Sequence, residues 1–131
     1  MLKPLALLGM ALLLHAPGTT PHQTDKHMEQ VLIDRITVPA NANDAFTQRM
    51  DINRGILKQI PGFVRDEVFE TQGENGDLVY LTVAVWKDAH ALKKAKERVE
   101  AEYARTGFDP VAFCQERHIK MQRGIYQPVG E

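Results

Sequence analysis

The sequence predicts an α+β domain built on an antiparallel sheet, and three observations carry that prediction. Residues 78–86 (LVYLTVAVW) put aliphatic side chains at every second position, as a strand with two unlike faces does. Two segments, from Phe46 to Ile60 and from Leu92 to Tyr103, repeat apolar residues at helical spacing. Strand-like and helical segments alternate as β-α-β, hairpin, β-α-β, rather than as the strict β-α repeat of a parallel sheet.

Residues 31–38 (VLIDRITV) are rich in β-branched side chains and read as the first strand. Pro39 and the turn Asn41-Ala42-Asn43 end it, and Asn43 is placed to N-cap a helix with Asp44 in its first turn. Phe46, Met50, Leu57 and Ile60 form that helix's apolar stripe, which Asn53 interrupts. Pro61-Gly62 stops the helix, and residues 63–71 (FVRDEVFET) read as a second strand. The segment from Gln72 to Asp77 closes on Asn-Gly-Asp and favours a hairpin. In the third strand Val79, Leu81, Val83 and Val85 share one face; Tyr80, Thr82 and Trp86 share the other. Asp88 can cap the second helix, whose stripe is Leu92, Ala95, Val99 and Tyr103, and Gly107 closes it. Asp109-Pro110 starts a short helix. Residues 118–126 form the last strand, beginning at His118 and distorted at Gly124.

This βαββαβ order is the ferredoxin-like plan, with both helices on one face of the sheet. The other face needs a cover, since either set of third-strand residues, aliphatic or aromatic, is too apolar to stay in water. A homodimer through the sheet is therefore expected.

The bulk properties narrow the partners. The chain has 131 residues, so it holds one domain. Its 16 Lys and Arg nearly balance 17 Asp and Glu, with no basic stripe, which argues against nucleic acid. Cys114 is the single cysteine, which excludes an internal disulfide, a CxxC redox pair and a multi-cysteine zinc site. It follows Val111, Ala112 and Phe113 and reads as a buried small hydrophobe. Lys3, the apolar run Leu5 to Leu14 and Ala16-Pro17-Gly18 form a signal peptide over residues 1–18, with cleavage before Thr19. The run is too short to span a bilayer. The expectation is an exported protein, periplasmic or secreted, with no stable membrane anchor after cleavage. Residues 19–29 form a flexible lead-in and residues 30–127 the folded domain.

A Pro-Gly-Phe turn after the first helix (Pro61-Gly62-Phe63), with a strand that ends in Trp86 just before the Asp88 helix, resembles the antibiotic biosynthesis monooxygenase (ABM) domain. The resemblance implies a dimeric α/β barrel. It also implies an enzyme that oxidises aromatic compounds with O₂ and uses neither metal nor flavin. A related branch binds and degrades haem with a first-strand Asn, a third-strand Trp and a second-helix His; the matching positions here are Asp34, Trp86 and Lys96. In the polyketide-oxidising branch an Asn lies four residues before the Trp, where this chain has Thr82. Trp86 is kept from both patterns. The resemblance thus implies no cofactor, with haem the weaker alternative, and a small aromatic or quinol-like ligand. A non-catalytic small-ligand-binding or stress-response dimer is the competing reading.

Six residues are candidates for the site. Asp34 stands in mid-strand between Leu32 and Ile36, where a desolvated carboxylate could take a phenolic proton. The alternative for it is an ion pair with Arg123, His118 or a residue across the dimer. Trp86 could wall a pocket and orient a substrate oxygen through its N–H, or seal the core. Asn53 could bind a substrate oxygen or satisfy a backbone group. Tyr80 and Thr82 share the strand face of Trp86 and could line the same cavity, or be interface residues if that face meets the other subunit. His118 is a candidate general base, or a surface histidine at a strand end.

Overall fold

The computed structural model describes residues 27–130. The expected signal peptide, its cleavage site and most of the lead-in lie outside the described residues. The chain runs β1 (Gln30–Val38), α1 (Asn43–Lys58), β2 (Phe63–Gln72), β3 (Leu78–Trp86), α2 (Ala89–Thr106), α3 (Pro110–Arg117) and β4 (Lys120–Tyr126). The four strands form one sheet in the order β2-β3-β1-β4, and each neighbouring pair is antiparallel. This is the ferredoxin-like arrangement that the order of segments predicts. Among the described residues no helix is long and apolar enough to cross a membrane.

Register decides which side chains meet the helices. Asp34 lies opposite Thr82 on β3 and Arg123 on β4, and Ile36 opposite Tyr80. Paired residues share a face, so the even-numbered positions of β1 and β3 point together. Gln30, Leu32, Asp34, Ile36 and Val38 are all buried there. α1 supplies Phe46, Met50, Asn53 and Leu57 to that side, and α2 supplies Leu92, Ala95, Val99 and Tyr103. The opposite face carries Val79, Leu81, Val83 and Val85, with Phe69 of β2 and Leu81 among its exposed apolar side chains.

Three local expectations are corrected. Asn43 does not cap α1. A short 3-10 turn over Ala40–Ala42 precedes it, Ala42 takes the cap position, and Asn43 is the first helical residue. The Asn43 side chain is used otherwise, accepting a 2.6 Å hydrogen bond from the Tyr80 hydroxyl. His118 does not begin the last strand. It caps α3 in the left-handed conformation (φ 58°), while the Ile119 amide returns to the Cys114 carbonyl. An αL residue ending a helix in this way is ordinarily Gly or Asn, so a histidine here is unusual. β4 is not broken at Gly124, which pairs in register with Ile33. The Tyr126 ring lies across the glycine, where a Cβ would sit 2.7 Å from it, so any other residue here would push that exposed ring aside. Asp88 and Asp109 cap α2 and α3 through their carboxylates, and Gly107 ends α2 at φ 75°, all as the sequence indicates.

Candidate functional site

The apolar interior between helices and sheet falls into two clusters. One gathers Leu32, Leu57, Ile60, Ala84, Trp86, Leu92 and Tyr103; the other gathers Ile36, Phe46, Met50, Tyr80 and Cys114. Asp34 lies on β1 between Leu32 of the first cluster and Ile36 of the second. Asn53 lies on α1 between Met50 and Leu57 in the same way. Both are 3% exposed. The site is this polar divide in an otherwise apolar layer.

Burial of a carboxylate requires a partner. Asp34 has one in Arg123, which donates from Nε to Oδ1 at 2.7 Å and from Nη2 to Oδ2 at 2.8 Å. Each carboxylate oxygen keeps a further lone pair beyond the one that Arg123 engages. The third guanidinium nitrogen, Nη1, is buried without a hydrogen-bond partner. Both polar atoms of the Asn53 carboxamide are likewise buried without a well-formed hydrogen bond. That carboxamide is nonetheless close enough to the Tyr103 hydroxyl to act on its ionisation. Burial pushes the Tyr103 phenol far up from its ordinary 10.0, against the opposing pull of the Arg49 and Arg123 charges. Arg49, one turn before Asn53 on α1, lies 3.5 Å over the Phe108 ring centroid, and its Nε is buried and unpartnered. Desolvation lowers the pKa of its guanidinium.

A cavity of about 30 Å³ opens beside this divide. Asp34, Asn53 and Thr82 line it together with Leu32, Leu57 and Ala84. On its β2 side Arg54 of α1 bonds Asp66 of β2 at 2.6 Å, an ion pair that ties the helix to the edge strand. As it stands the space suits one or two waters, not an aromatic ring. A larger hollow, about 520 Å³, lies elsewhere, on the surface around Pro61, Lys87 and His90. It is open to solvent and includes none of the buried polar residues, so the smaller cavity is the better candidate.

The structure therefore brings three of the six sequence candidates to one cavity. Trp86 is fully buried among Leu57, Ile60 and Leu92, edge-on to Phe63 at 5.5 Å, and does not line it. Its indole N–H has no hydrogen-bond partner. Tyr80 shares the face but packs at 4.9 Å on Phe46 and bonds Asn43, one step further along the sheet. His118 is exposed at the end of α3, away from the cavity lining. The sequence reading missed Arg49 and Tyr103 as polar contributors. Arg49 precedes Asn53 by four residues, which places both on one helix face, and that spacing was the available signal.

Haem does not fit this arrangement. None of the described histidines, His27, His90 and His118, lines the cavity. Lys96 pairs with Glu100 at 3.3 Å on the outside of α2. Among the described residues no cluster of three or more His, Cys, Asp or Glu could hold a metal ion.

The family model for antibiotic biosynthesis monooxygenase matches residues 30–105. No curated protein matches the sequence significantly. Among solved structures, the chain resembles SnoaB, a cofactor-independent oxygenase from Streptomyces nogalater, at 24% identity and TM-score 0.51, covering 79% of this chain and 95% of that one. It also resembles a dimeric ferredoxin-like protein from an uncultured marine organism at 10% identity and TM-score 0.61, covering 79% and 98%. At such identities these likenesses establish the fold.

Proposed function

Because the chain belongs to the antibiotic biosynthesis monooxygenase family, we propose that it is a cofactor-independent monooxygenase acting on a small aromatic or quinol-like compound, for which the small cavity beside Asp34 and Asn53 has to widen. The observation that carries this reading is the polar divide: Asp34 and Asn53, deeply buried, face one space lined by Thr82 and aliphatic side chains. A second reading, a binding dimer without turnover, has the same cavity and differs only in the outcome of an oxygen assay.

In the proposed reaction a free lone pair of Asp34 takes an acidic proton from the substrate, such as the ring-methylene proton of an anthrone. Asn53 and Thr82 hold the neighbouring substrate oxygen. The resulting enolate gives an electron to O₂, and recombination forms a hydroperoxide at the ring carbon. Loss of water then leaves a carbonyl. One oxygen atom stays on the substrate and the other leaves with the two hydrogens of the methylene, so the substrate supplies every electron. Arg123 keeps Asp34 oriented throughout, and Trp86 and Tyr80 support the walls on either side. Export, through a cut before Thr19, and a homodimer through the open sheet face belong to the same proposal; N-terminal sequencing of the mature chain reads the cut. A self-sufficient reaction suits an exported protein, which has no access to cytosolic nicotinamide pools.

Oxygen uptake with an anthrone and a hydroquinone tests the reaction. The expected result is uptake above the spontaneous rate, reduced about 100-fold or more in Asp34→Asn, the usual worth of a general base. Uptake no faster than in buffer, or unchanged in that variant, would refute it.

A further inference from the structure

We propose that Arg54 is the latch of the cavity. It shuts the seam between α1 and β2 by pairing with Asp66, and it frees the seam by turning to Asp51, so that a flat aromatic ring can enter there. The use of this entrance by a substrate rests on the proposed function, whereas the place where the layer opens stands on packing alone.

A space of about 30 Å³ admits a ring only after one of its walls has moved. The walls are not equally firm. Leu32 and Asp34 stand on β1, and Thr82 and Ala84 on β3; both strands are paired on two sides. The remaining sheet wall is β2, an edge strand bonded to β3 alone, with its register broken between Phe63 and Arg65. Five of the nine residues are buried in β1 and again in β3, but none of the ten in β2. An element that buries so little opens before the elements that hold the core. What ties β2 to α1 at the cavity is the pair of Arg54 and Asp66, both in its lining, at 2.6 Å.

The two ends of that pair differ. The Asp66 side chain is 9% exposed on its strand, whereas that of Arg54 is 32% exposed, at the end of a long stem with many rotamers. Arg54 has a second carboxylate within reach in Asp51, three residues earlier on the same face of α1. Asp51 is exposed, and its charge already acts on Arg54. The exchange is easy because the guanidinium keeps an ion pair at either station. One station closes the seam and the other leaves it free.

Trp86 reports the opening without a known ligand. It is the single tryptophan of the chain, fully buried, and packs in one cluster with Leu57 and Ala84, which line the cavity. Phe63 of β2 lies edge-on to it at 5.5 Å. The test is acrylamide quenching of Trp86 fluorescence in the full chain. Asp66→Asn should raise the quenching constant about two- to fivefold, the worth of a partly exposed ion pair. Asp51→Asn, the same chemical change on the competing carboxylate, should lower it about 1.5- to 2-fold. A merely structural pair does not give effects of opposite sign. Ile119→Val, which loosens the other apolar cluster, should lower the urea midpoint and leave quenching unchanged. An unchanged constant in either asparagine variant, movement of both in one direction, or a rise in Ile119→Val as large as in Asp66→Asn would overturn the latch. Oxygen uptake on an anthrone, with quenching unmoved by Asp66→Asn, would remove the latch and keep the monooxygenase. Opposite effects of the two asparagine variants without oxygen uptake would keep the latch and refute the reaction.

Discussion

Burial changes what single side chains can do, and Cys114 shows it most simply. Its thiol is 2% exposed, and burial pushes its pKa from 9.0 up to about 11. Burial likewise lifts the phenols of Tyr80 and Tyr103 above 10.0. For all three the fold favours the neutral, protonated form, so the folded chain holds protons that the unfolded chain releases. Their contribution to stability is complete below about pH 9 and falls as pH rises towards and through 11. Urea midpoints should therefore be level from pH 7.5 to 9 and drop by pH 10.5, with Cys114→Val softening the first part of the fall. A midpoint that holds steady to pH 11 would contradict this account. The same thiol should react with alkylating reagents only as fast as the domain opens, which suits a core residue and not a nucleophile.

At the scale of elements, the turn that joins α1 to β2 has a steric reason. Gly62 sits at φ 92°, and a Cβ there would meet the Ala91 Cβ of α2 at 2.4 Å. Its carbonyl accepts from the Lys87 amide at 2.8 Å, just beyond β3. The Pro-Gly-Phe turn is thus the point where two connections touch. Gly62→Ala combines a left-handed backbone with an overpacked contact and should cost about 2–4 kcal/mol, read as a lowered urea midpoint with unchanged slope; a loss below about 1 kcal/mol would mean that the turn can shift.

Such features explain what could be read from the sequence. Stripes such as Leu92, Ala95, Val99 and Tyr103 announce a buried helix face directly, and strand alternation identifies the two faces of β3. Capping carboxylates are equally plain, since Asp88 and Asp109 each stand just before a helix. Asn43 misled because its side chain is claimed by Tyr80, 37 residues away, and no local rule sees that. His118 misled because a β-like run follows it, while the left-handed turn is set by the preceding helix. The site was legible in part for the same reason: Asp34 and Asn53 are polar residues breaking apolar patterns. How far Trp86 stands from them along the sheet depends on register, which hydrophobic pattern alone does not reveal.

For the whole molecule, the open face of the sheet is the feature on which the proposed dimer rests. Phe69 and Leu81 pair across β2 and β3 on that face and are 52% and 38% exposed. Two such faces related by a twofold axis would bury one another. Analytical ultracentrifugation at micromolar concentration should give twice the monomer mass, and Leu81→Lys should give the monomer with an unchanged circular dichroism spectrum. A monomer for the unaltered chain across that range would rule the dimer out.

The ion pair between Asp34 and Arg123 joins residues 89 positions apart, and the second of them lies beyond the segment matched by the family. Folding order follows from that separation. Until β4 has been made and has docked, the centre of the sheet holds a carboxylate with nothing to neutralise it, which is among the least tolerable states of a protein interior. The nearly complete chain therefore gains little by collapsing early around its sheet. The last strand acts as a keystone: Arg123 neutralises the polar divide only once β4 is in place.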